Sequence, residues 1–229
     1  MIRFENTKVF NFDGAIRGMR NPLNSWDKSD SYYNPTDGEF ILGKNDLDLA
    51  QRLAKAGSDH RKFMRQILIC VDITAPLYWW KEFDTYKVGT VANSTSTMHK
   101  ITSKEITFDD FSFSETENPY MKNFYNKAVE SCERLREDYL ECMAEAERYT
   151  DPMMKEEARS HAKEYWNALI KILPCAYNQK RTVTLNYENL VNMYHSRRSH
   201  KLEEWHNLCS WVESLPNSNL ILLAAGVKE

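Results

Sequence analysis

The chain has 229 residues, of which 42% are hydrophobic and 28% are charged, and its formal net charge is −3. This length and composition favour one globular domain over residues 1–229 with a sizeable core. The slight acidic excess argues against a protein that binds duplex nucleic acid, because such proteins usually carry a basic excess.

The compartment is predicted from the cysteines and the apolar runs. The five cysteines include no C-x-x-C pair, which favours reduced, buried thiols. The N-terminal residues lack the apolar run of a signal peptide. No apolar stretch reaches the roughly 18 residues that a membrane span needs. We therefore expect a cytoplasmic protein without membrane contact.

Apolar periodicity and breaker residues predict a chain that is mostly helical with a small sheet. Strands are predicted over residues 1–12, 65–74 and 181–185, and helices over residues 45–56, 76–87, 118–148, 152–173, 186–196 and 200–214. Residues 13–40 are expected to be irregular, because glycine and proline interrupt them. The expected class is α+β, with a small mixed or antiparallel sheet flanked by long helices.

The irregular region carries Arg17, Arg20, Asn21 and Trp26. One interpretation is a surface loop packed by Trp26. The other is an ordered loop that places the arginines near an anionic ligand. The sequence slightly favours the surface loop.

Motifs for metal or standard phosphate binding are absent from the sequence. There is no H-E-x-x-H, no Cys/His cluster with zinc spacing, no Walker loop and no G-x-G-x-x-G. We therefore expect no metal centre and no standard phosphate cradle.

Two polar segments remain as candidates for chemistry. In the first, Glu82 and Thr85 end a predicted helix and lead into the hydroxyl-rich stretch 90–97. In the second, cations gather at Lys180, Arg181, Arg197 and Arg198 in an otherwise acidic chain. Planar arginines suit bidentate phosphate binding. Each segment alone fits an exposed turn or a charged surface helix, but together they favour one shared site for an anionic ligand.

The second segment resembles the C-terminal active-site segment of flavin-dependent thymidylate synthases. The residues that match that segment are Leu173-Pro174, Lys180, Asn186, Asn192, either Arg197 or Arg198, and His200. Glu188 stands where the family has an arginine.

The first segment aligns with the family's signature from Ala75-Pro76 onward. The signature positions read Thr85, Tyr86, Lys87, Thr90, Ala92, Thr95 and Thr97, and none is identical to the family residue. Glu82 replaces a glutamine and Asn93 replaces an acidic residue. The stretch from Ala15 to Arg20 also resembles the family's N-terminal loop.

This resemblance implies a fold, an assembly and a reaction. The family is a homotetramer with active sites at subunit interfaces, which binds FAD, deoxyuridylate, methylenetetrahydrofolate and NADPH and methylates the pyrimidine. The resemblance assigns the cofactor to six residues of this chain, namely Tyr86, Lys87, Asn186, Glu188, Asn192 and His60. It assigns Glu82, Thr85, Asn93, Thr95, Thr97, Lys180 and Arg181 to the nucleotide, with Arg197 or Arg198 as catalytic.

The departures from the signature suggest a changed ligand. Two arginines are missing at Thr85 and Thr97, and each charge-assisted contact is worth roughly 1.5–3 kcal/mol. The cations at 180–198 could compensate. Glu82 in place of an amide favours a base edge with an additional N–H, such as that of a cytosine nucleotide. The hypotheses are, in order, a flavoenzyme that modifies a pyrimidine deoxynucleotide, a flavin- or nucleotide-binding homologue that lost the reaction, and a structural protein.

Overall fold

A computed structural model describes residues 2–227, which divide into two compact units. The first unit comprises Thr74–Lys81 and Ser94–Lys180. The second unit comprises Ile2–Ile73, Glu82–Asn93 and the chain from Arg181 onward.

Strands and helices alternate irregularly along the chain. The strands are β1 (Arg3–Phe10), β2 (Tyr32–Tyr33), β3 (Phe40–Ile41), β4 (Leu68–Pro76), β5 (Val91–Ser94) and β6 (Asn178–Asn186). The helices are α1 (Phe12–Met19), α2 (Lys44–Lys55), α3 (Leu77–Phe83), α4 (Thr97–Lys100), α5 (Pro119–Arg148), α6 (Pro152–Ile172), α7 (Tyr187–Arg197), α8 (Glu203–Glu213) and α9 (Asn219–Ala224). The α+β class is as predicted.

The main sheet has four strands in the order β1-β4-β6-β5, and β2 pairs with β3 in a separate antiparallel hairpin. In β4, alternate side chains at Ile69, Val71 and Ile73 are fully buried. This alternation is the pattern of a strand that covers a core with one face.

Two long helices dominate the first unit, and side chains cap the N-terminus of each. Asn118 accepts a hydrogen bond from the Tyr120 amide at the start of α5, and Asp151 accepts from the Met153 amide at the start of α6. Both helices begin with a proline at the first position, where no amide donor is needed. The long helices and their start signals were predicted correctly.

The core of the first unit lies where α5 and α6 meet the segment after α4. Its buried members are Ile101, Ile106, Phe111, Cys132 and Leu169. Burial raises the pKa of the Cys132 thiol to about 11, so this thiol stays protonated. The expectation of buried thiols is correct for Cys132 and Cys209 and wrong for the others, since Cys70 and Cys142 are half-buried and Cys175 is exposed.

Residues 13–19 were predicted to be irregular and instead form α1. A Cβ at Gly14 would lie 2.2 Å from Asn11 Oδ1, and one at Gly18 would lie 2.9 Å from Gln66 Oε1. The glycines are therefore accounted for by close neighbours rather than by a break in the helix.

The region after α3 also departs from the prediction. The helix expected to reach Lys87 ends at Phe83, and the stretch expected to be a loop contains β5 and α4. Helix α9 was not predicted. No helix within residues 2–227 has both the length and the apolar character to cross a bilayer.

Candidate functional site

Four polar and aromatic side chains of the second unit gather around Glu82. Its Oε2 atom accepts a hydrogen bond from Arg197 Nη1 at 2.6 Å and another from Trp205 Nε1 at 3.0 Å. His200 Nε2 lies 3.5 Å from the same oxygen. With Tyr86, these residues form what we call the Glu82 cluster.

Arg197 is held on several sides within this cluster. Its Nε donates to the Tyr86 hydroxyl at 2.9 Å, and its guanidinium carbon lies 4.4 Å from the centre of the Trp205 ring and 5.6 Å from that of Tyr86. Such cation–π contacts and the ion pair fix the plane of the guanidinium. The cluster thus presents an oriented cation that is already paired with a carboxylate.

The two oxygens of Glu82 have different surroundings. Within residues 2–227, all the hydrogen bonds to the carboxylate reach Oε2, and none reaches Oε1. The Glu82 side chain is 35% exposed. Because an ionised carboxylate can only accept hydrogen bonds, Oε1 offers an acceptor to an N–H group of a ligand.

A second arginine of the basic segment is paired in the same way. Arg181 Nη1 lies 2.7 Å from Asp84 Oδ1, and the Arg181 side chain is 15% exposed. The carboxylates at 82 and 84 therefore pair with the arginines at 197 and 181. The basic residues at 180–198 were expected to compensate for the two signature arginines that Thr85 and Thr97 replace. Two of these basic residues, Arg181 and Arg197, are already neutralised by carboxylates of the same chain.

The structure separates the two adjacent arginines that the sequence left as alternatives. Arg197 ends α7 and enters the Glu82 cluster. Arg198 follows the helix, is exposed, and donates its backbone amide to the Tyr194 carbonyl. Only Arg197 is therefore joined to the residues assigned to the nucleotide.

The remaining nucleotide candidates fall in both units. Thr85 closes the end of α3 by donating its hydroxyl to the Glu82 carbonyl at 2.7 Å, and Asn93 is exposed on β5. In the first unit, the Thr95 amide donates to the Lys180 carbonyl at 2.9 Å. The Gln179 amide donates to Thr97 Oγ1 at 3.3 Å. The Thr85 and Thr97 hydroxyls are thus engaged in local contacts.

The flavin candidates lie in the second unit, and several are held by protein contacts. Glu188 is 8% exposed and accepts from Arg61 Nε at 2.9 Å. Asn186 caps α7, in a reciprocal pair of hydrogen bonds with Asn189. Asn189 Nδ2 donates in turn to the Val88 carbonyl at 2.6 Å, which fixes the turn after Tyr86 against the start of α7.

Three flavin candidates keep their polar heads available. Lys87, Asn192 and His60 are exposed, and within the described residues their side chains make no hydrogen bond or ion pair. Lys87 lines a cavity of about 300 Å³ beside Tyr86, and His60 lines one of about 470 Å³ with an apolar wall that includes Leu49. An ammonium, an amide and an imidazole are suitable partners for the polar atoms of a flavin, but Lys87 and His60 line different cavities, and Asn192 lines neither of them.

Sequence reasoning missed Arg61 and Asp84, the ion-pair partners of Glu188 and Arg181. Glu188 carried a usable signal, because a carboxylate among the apolar positions of a helix needs a cation when it is buried. Nothing in the sequence indicated which cation that would be. Within residues 2–227, no three His, Cys, Asp or Glu side chains are grouped as metal ligands.

Solved structures with the same fold include two crystal structures of thymidylate synthase X from Helicobacter pylori, both with FAD and dUMP. One shares 16% identity, with a TM-score of 0.67 over 100% of both chains. The other shares 15% identity, with a TM-score of 0.67 over 99% of both chains. No family model and no curated protein matches the sequence. The chain therefore has the flavin-dependent thymidylate synthase fold that the sequence resemblance predicted.

Proposed function

We propose that the chain is a flavin-dependent enzyme that transfers a folate-derived one-carbon unit to carbon 5 of a pyrimidine deoxynucleotide. The observation that carries the proposal is the Glu82 cluster, in which Arg197 is oriented by Glu82 and Tyr86 within the fold of enzymes that bind FAD and dUMP. A fixed guanidinium suits stabilisation of the negative charge that develops on a pyrimidine ring.

In this proposal, Glu82 and Arg197 together recognise the base through hydrogen bonds. Arg197 donates to a ring acceptor, and Glu82 Oε1 accepts from a neighbouring N–H. Cytosine satisfies both contacts with its amino group beside a ring nitrogen that accepts, and uracil satisfies them only with its ring N–H beside a carbonyl. In the proposed orientation the carboxylate faces the exocyclic group at carbon 4, where cytosine presents a donor and uracil presents a carbonyl that would be repelled. Deoxycytidylate is therefore the preferred nucleotide and deoxyuridylate the alternative.

FAD is the proposed cofactor, with NADPH and methylenetetrahydrofolate as co-substrates. When bound, FAD supplies hydride transfer. Lys87, Asn192 and His60 would hold it through their exposed polar heads, and Tyr86 connects this region to Arg197 through its hydroxyl. Asn186 and Glu188 act indirectly, because one caps α7 and the other is paired with Arg61.

The other assignments follow the same resemblance. Nucleotide contacts are proposed for Thr85, Asn93, Thr95, Thr97, Lys180 and Arg181. We further infer a homotetramer with sites at subunit interfaces and a cytoplasmic location, without nucleic-acid or membrane partners.

A second candidate function is flavin or nucleotide binding without one-carbon transfer. The pairing of Arg181 with Asp84 and of Arg197 with Glu82 favours it. A cation that is already neutralised stabilises an anionic ligand less than an unpaired one does.

The test combines flavin absorbance of the purified protein with tritium release from carbon 5 of labelled deoxycytidylate and deoxyuridylate, in the presence of folate and NADPH. We expect bound FAD and release from one nucleotide. Arg197→Ala should lower the rate by about 100-fold, for a loss of roughly 3 kcal/mol. Arg198→Ala, the matched control, should stay near the unmodified rate.

Other outcomes separate the candidates. Bound FAD without tritium release from either nucleotide would contradict the enzyme and support the binding protein. A protein that takes up no FAD and is not stabilised by either nucleotide would contradict both.

A further inference from the structure

An aromatic cavity of about 390 Å³ lies in the second unit beside α1 and the β2–β3 hairpin. Its aromatic members are Trp26, Tyr32, Tyr33 and Phe40. Trp26, Tyr32 and Tyr33 are 50%, 57% and 56% exposed. Cavities of small-molecule sites start at about 300 Å³. A group of large aromatic side chains left open to solvent marks a binding surface.

The buried carboxylate of Asp46 fixes the loop that carries these aromatic side chains. Asp46 is fully buried and accepts hydrogen bonds from Arg20, from the Ser29 and Ser31 hydroxyls and from two backbone amides of the loop. Asp30, in the same loop, accepts from two amides at the start of α2. The aromatic side chains are thus presented by a rigid segment, and rigidity lowers the entropy that binding costs.

Two opposite charges complete the wall of the cavity. Asp13 and Arg17 lie one turn apart on α1, and both line the cavity. This spacing allows an ion pair, but within residues 2–227 these two side chains do not form one. Partial desolvation, and then a hydrogen bond to the Asp13 carboxylate, raise the pKa of the Tyr33 hydroxyl, so Asp13 already accepts from one neighbour and has lone pairs left for another donor. The cavity therefore offers an acceptor and a donor next to stacking surfaces.

We propose that this cavity binds a planar heteroaromatic ring with a lactam edge, in which an N–H group and a carbonyl are neighbours, as in guanine or a pterin. The ring stacks on Trp26 and the tyrosines, Asp13 accepts from the N–H group, and Arg17 donates to the carbonyl. A simple cation is disfavoured by Arg17, and a simple anion is disfavoured by Asp13. None of these residues belongs to the Glu82 cluster, so the proposal does not depend on the proposed reaction.

Calorimetric titration of the full chain with guanosine, biopterin and adenosine tests the proposal. Guanosine or biopterin should bind at least about tenfold more tightly than adenosine, which has no lactam. The compound that binds identifies the source of the ring. Equal binding of adenosine would overturn the assignment of the edge, and no binding of any compound would overturn the site.

Variants connect the binding to the cavity. Asp13→Asn and Trp26→Ala should each weaken binding by about tenfold or more, since one loses the acceptor and the other the stacking face. Asp27→Asn and Tyr120→Ala are matched controls, because Asp27 is an exposed neighbour that does not line the cavity and Tyr120 is an exposed aromatic of the first unit. Equal losses in the controls, or none in the two cavity variants, would contradict the proposal. Circular dichroism verifies that each variant is folded.

Discussion

Asp46 and Glu82 are two of the second-unit carboxylates that pair with an arginine, and their surroundings differ. Asp46 is fully buried, and both of its oxygens accept hydrogen bonds, one from Arg20 and the others from the loop of residues 29–31. Glu82 is 35% exposed, and the contacts with Arg197 and Trp205 both reach a single oxygen.

This difference separates a structural ion pair from a functional one. A buried carboxylate is tolerated when each of its oxygens accepts from a hydrogen-bond donor, because the donors replace the lost hydration. Asp46 meets that condition and fixes a loop. Glu82 keeps one oxygen for solvent or a ligand, so its charge is available for recognition as well as for the ion pair.

Among the substitutions that test this difference, Asp46→Asn should lower the free energy of unfolding most. The change removes the partner of the buried Arg20 and leaves its guanidinium uncompensated, which costs about 3–5 kcal/mol. Urea unfolding followed by circular dichroism measures the loss. Asp48→Asn, which alters an exposed pair with Arg52, should change stability by less than about 1 kcal/mol. A similar loss in both variants would refute the structural role of Asp46.

The pH dependence gives the same role a second readout. Burial raises the pKa of Asp46, but the hydrogen bonds from Ser31, Ser29 and Arg20 together outweigh it, so the folded-state pKa lies below the ordinary value of 3.8. A lowered folded-state pKa means that this stabilisation is present above the unfolded-state pKa and is lost as the pH falls through the folded-state value. The Asp46→Asn variant should therefore lose less stability than the unmodified protein when the pH is lowered below about 4.

A smaller loss is expected for Glu188→Gln. The side chains alone of Glu188 and Arg61 are 10% and 14% exposed, so residual solvent screens the pair, and removal of one charge should cost about 2 kcal/mol. Arg61 also donates to the Ala224 carbonyl of α9, so we expect faster hydrogen exchange in α9. Glu157→Gln, on an exposed surface of α6, is the control. Unchanged stability and exchange would show that the pair fixes neither α7 nor α9.

The sequence was informative where local signals decide the structure. Asn118-Pro119 and Asp151-Pro152 combine a cap with a proline at the first helical position, and both helices begin there. The segment around Gly14 was misread, because the reason for that glycine is the Asn11 side chain that fills the space of a Cβ. Such a contact depends on folded geometry and has no signature in composition.

The candidate site depended still more on distant contacts. Glu82 and Arg197 are separated by 115 positions. In the sequence, only the alignment of their two segments with the same family placed them in one site. The partners that neutralise the arginines could not be read from the chain, because an acidic residue two positions after Glu82 looks like any solvated charge. The rewritten signature was therefore recognisable as a change, but the pairing of Arg181 with Asp84 required the structure.

The smallest effect on stability, and the sharpest on function, is expected for Glu82→Gln. The side chain is partly exposed and an amide oxygen can still accept from Arg197, so the stability should change by less than about 1 kcal/mol. The amide now donates as well as accepts, which should shift the nucleotide preference from deoxycytidylate toward deoxyuridylate by about tenfold. Melting temperatures with each nucleotide measure the shift, and Asp84→Asn, which removes the partner of Arg181, is the control. If deoxyuridylate stabilises the unmodified protein and deoxycytidylate does not, Glu82 does not select the base, and its exposed oxygen has no role in recognition.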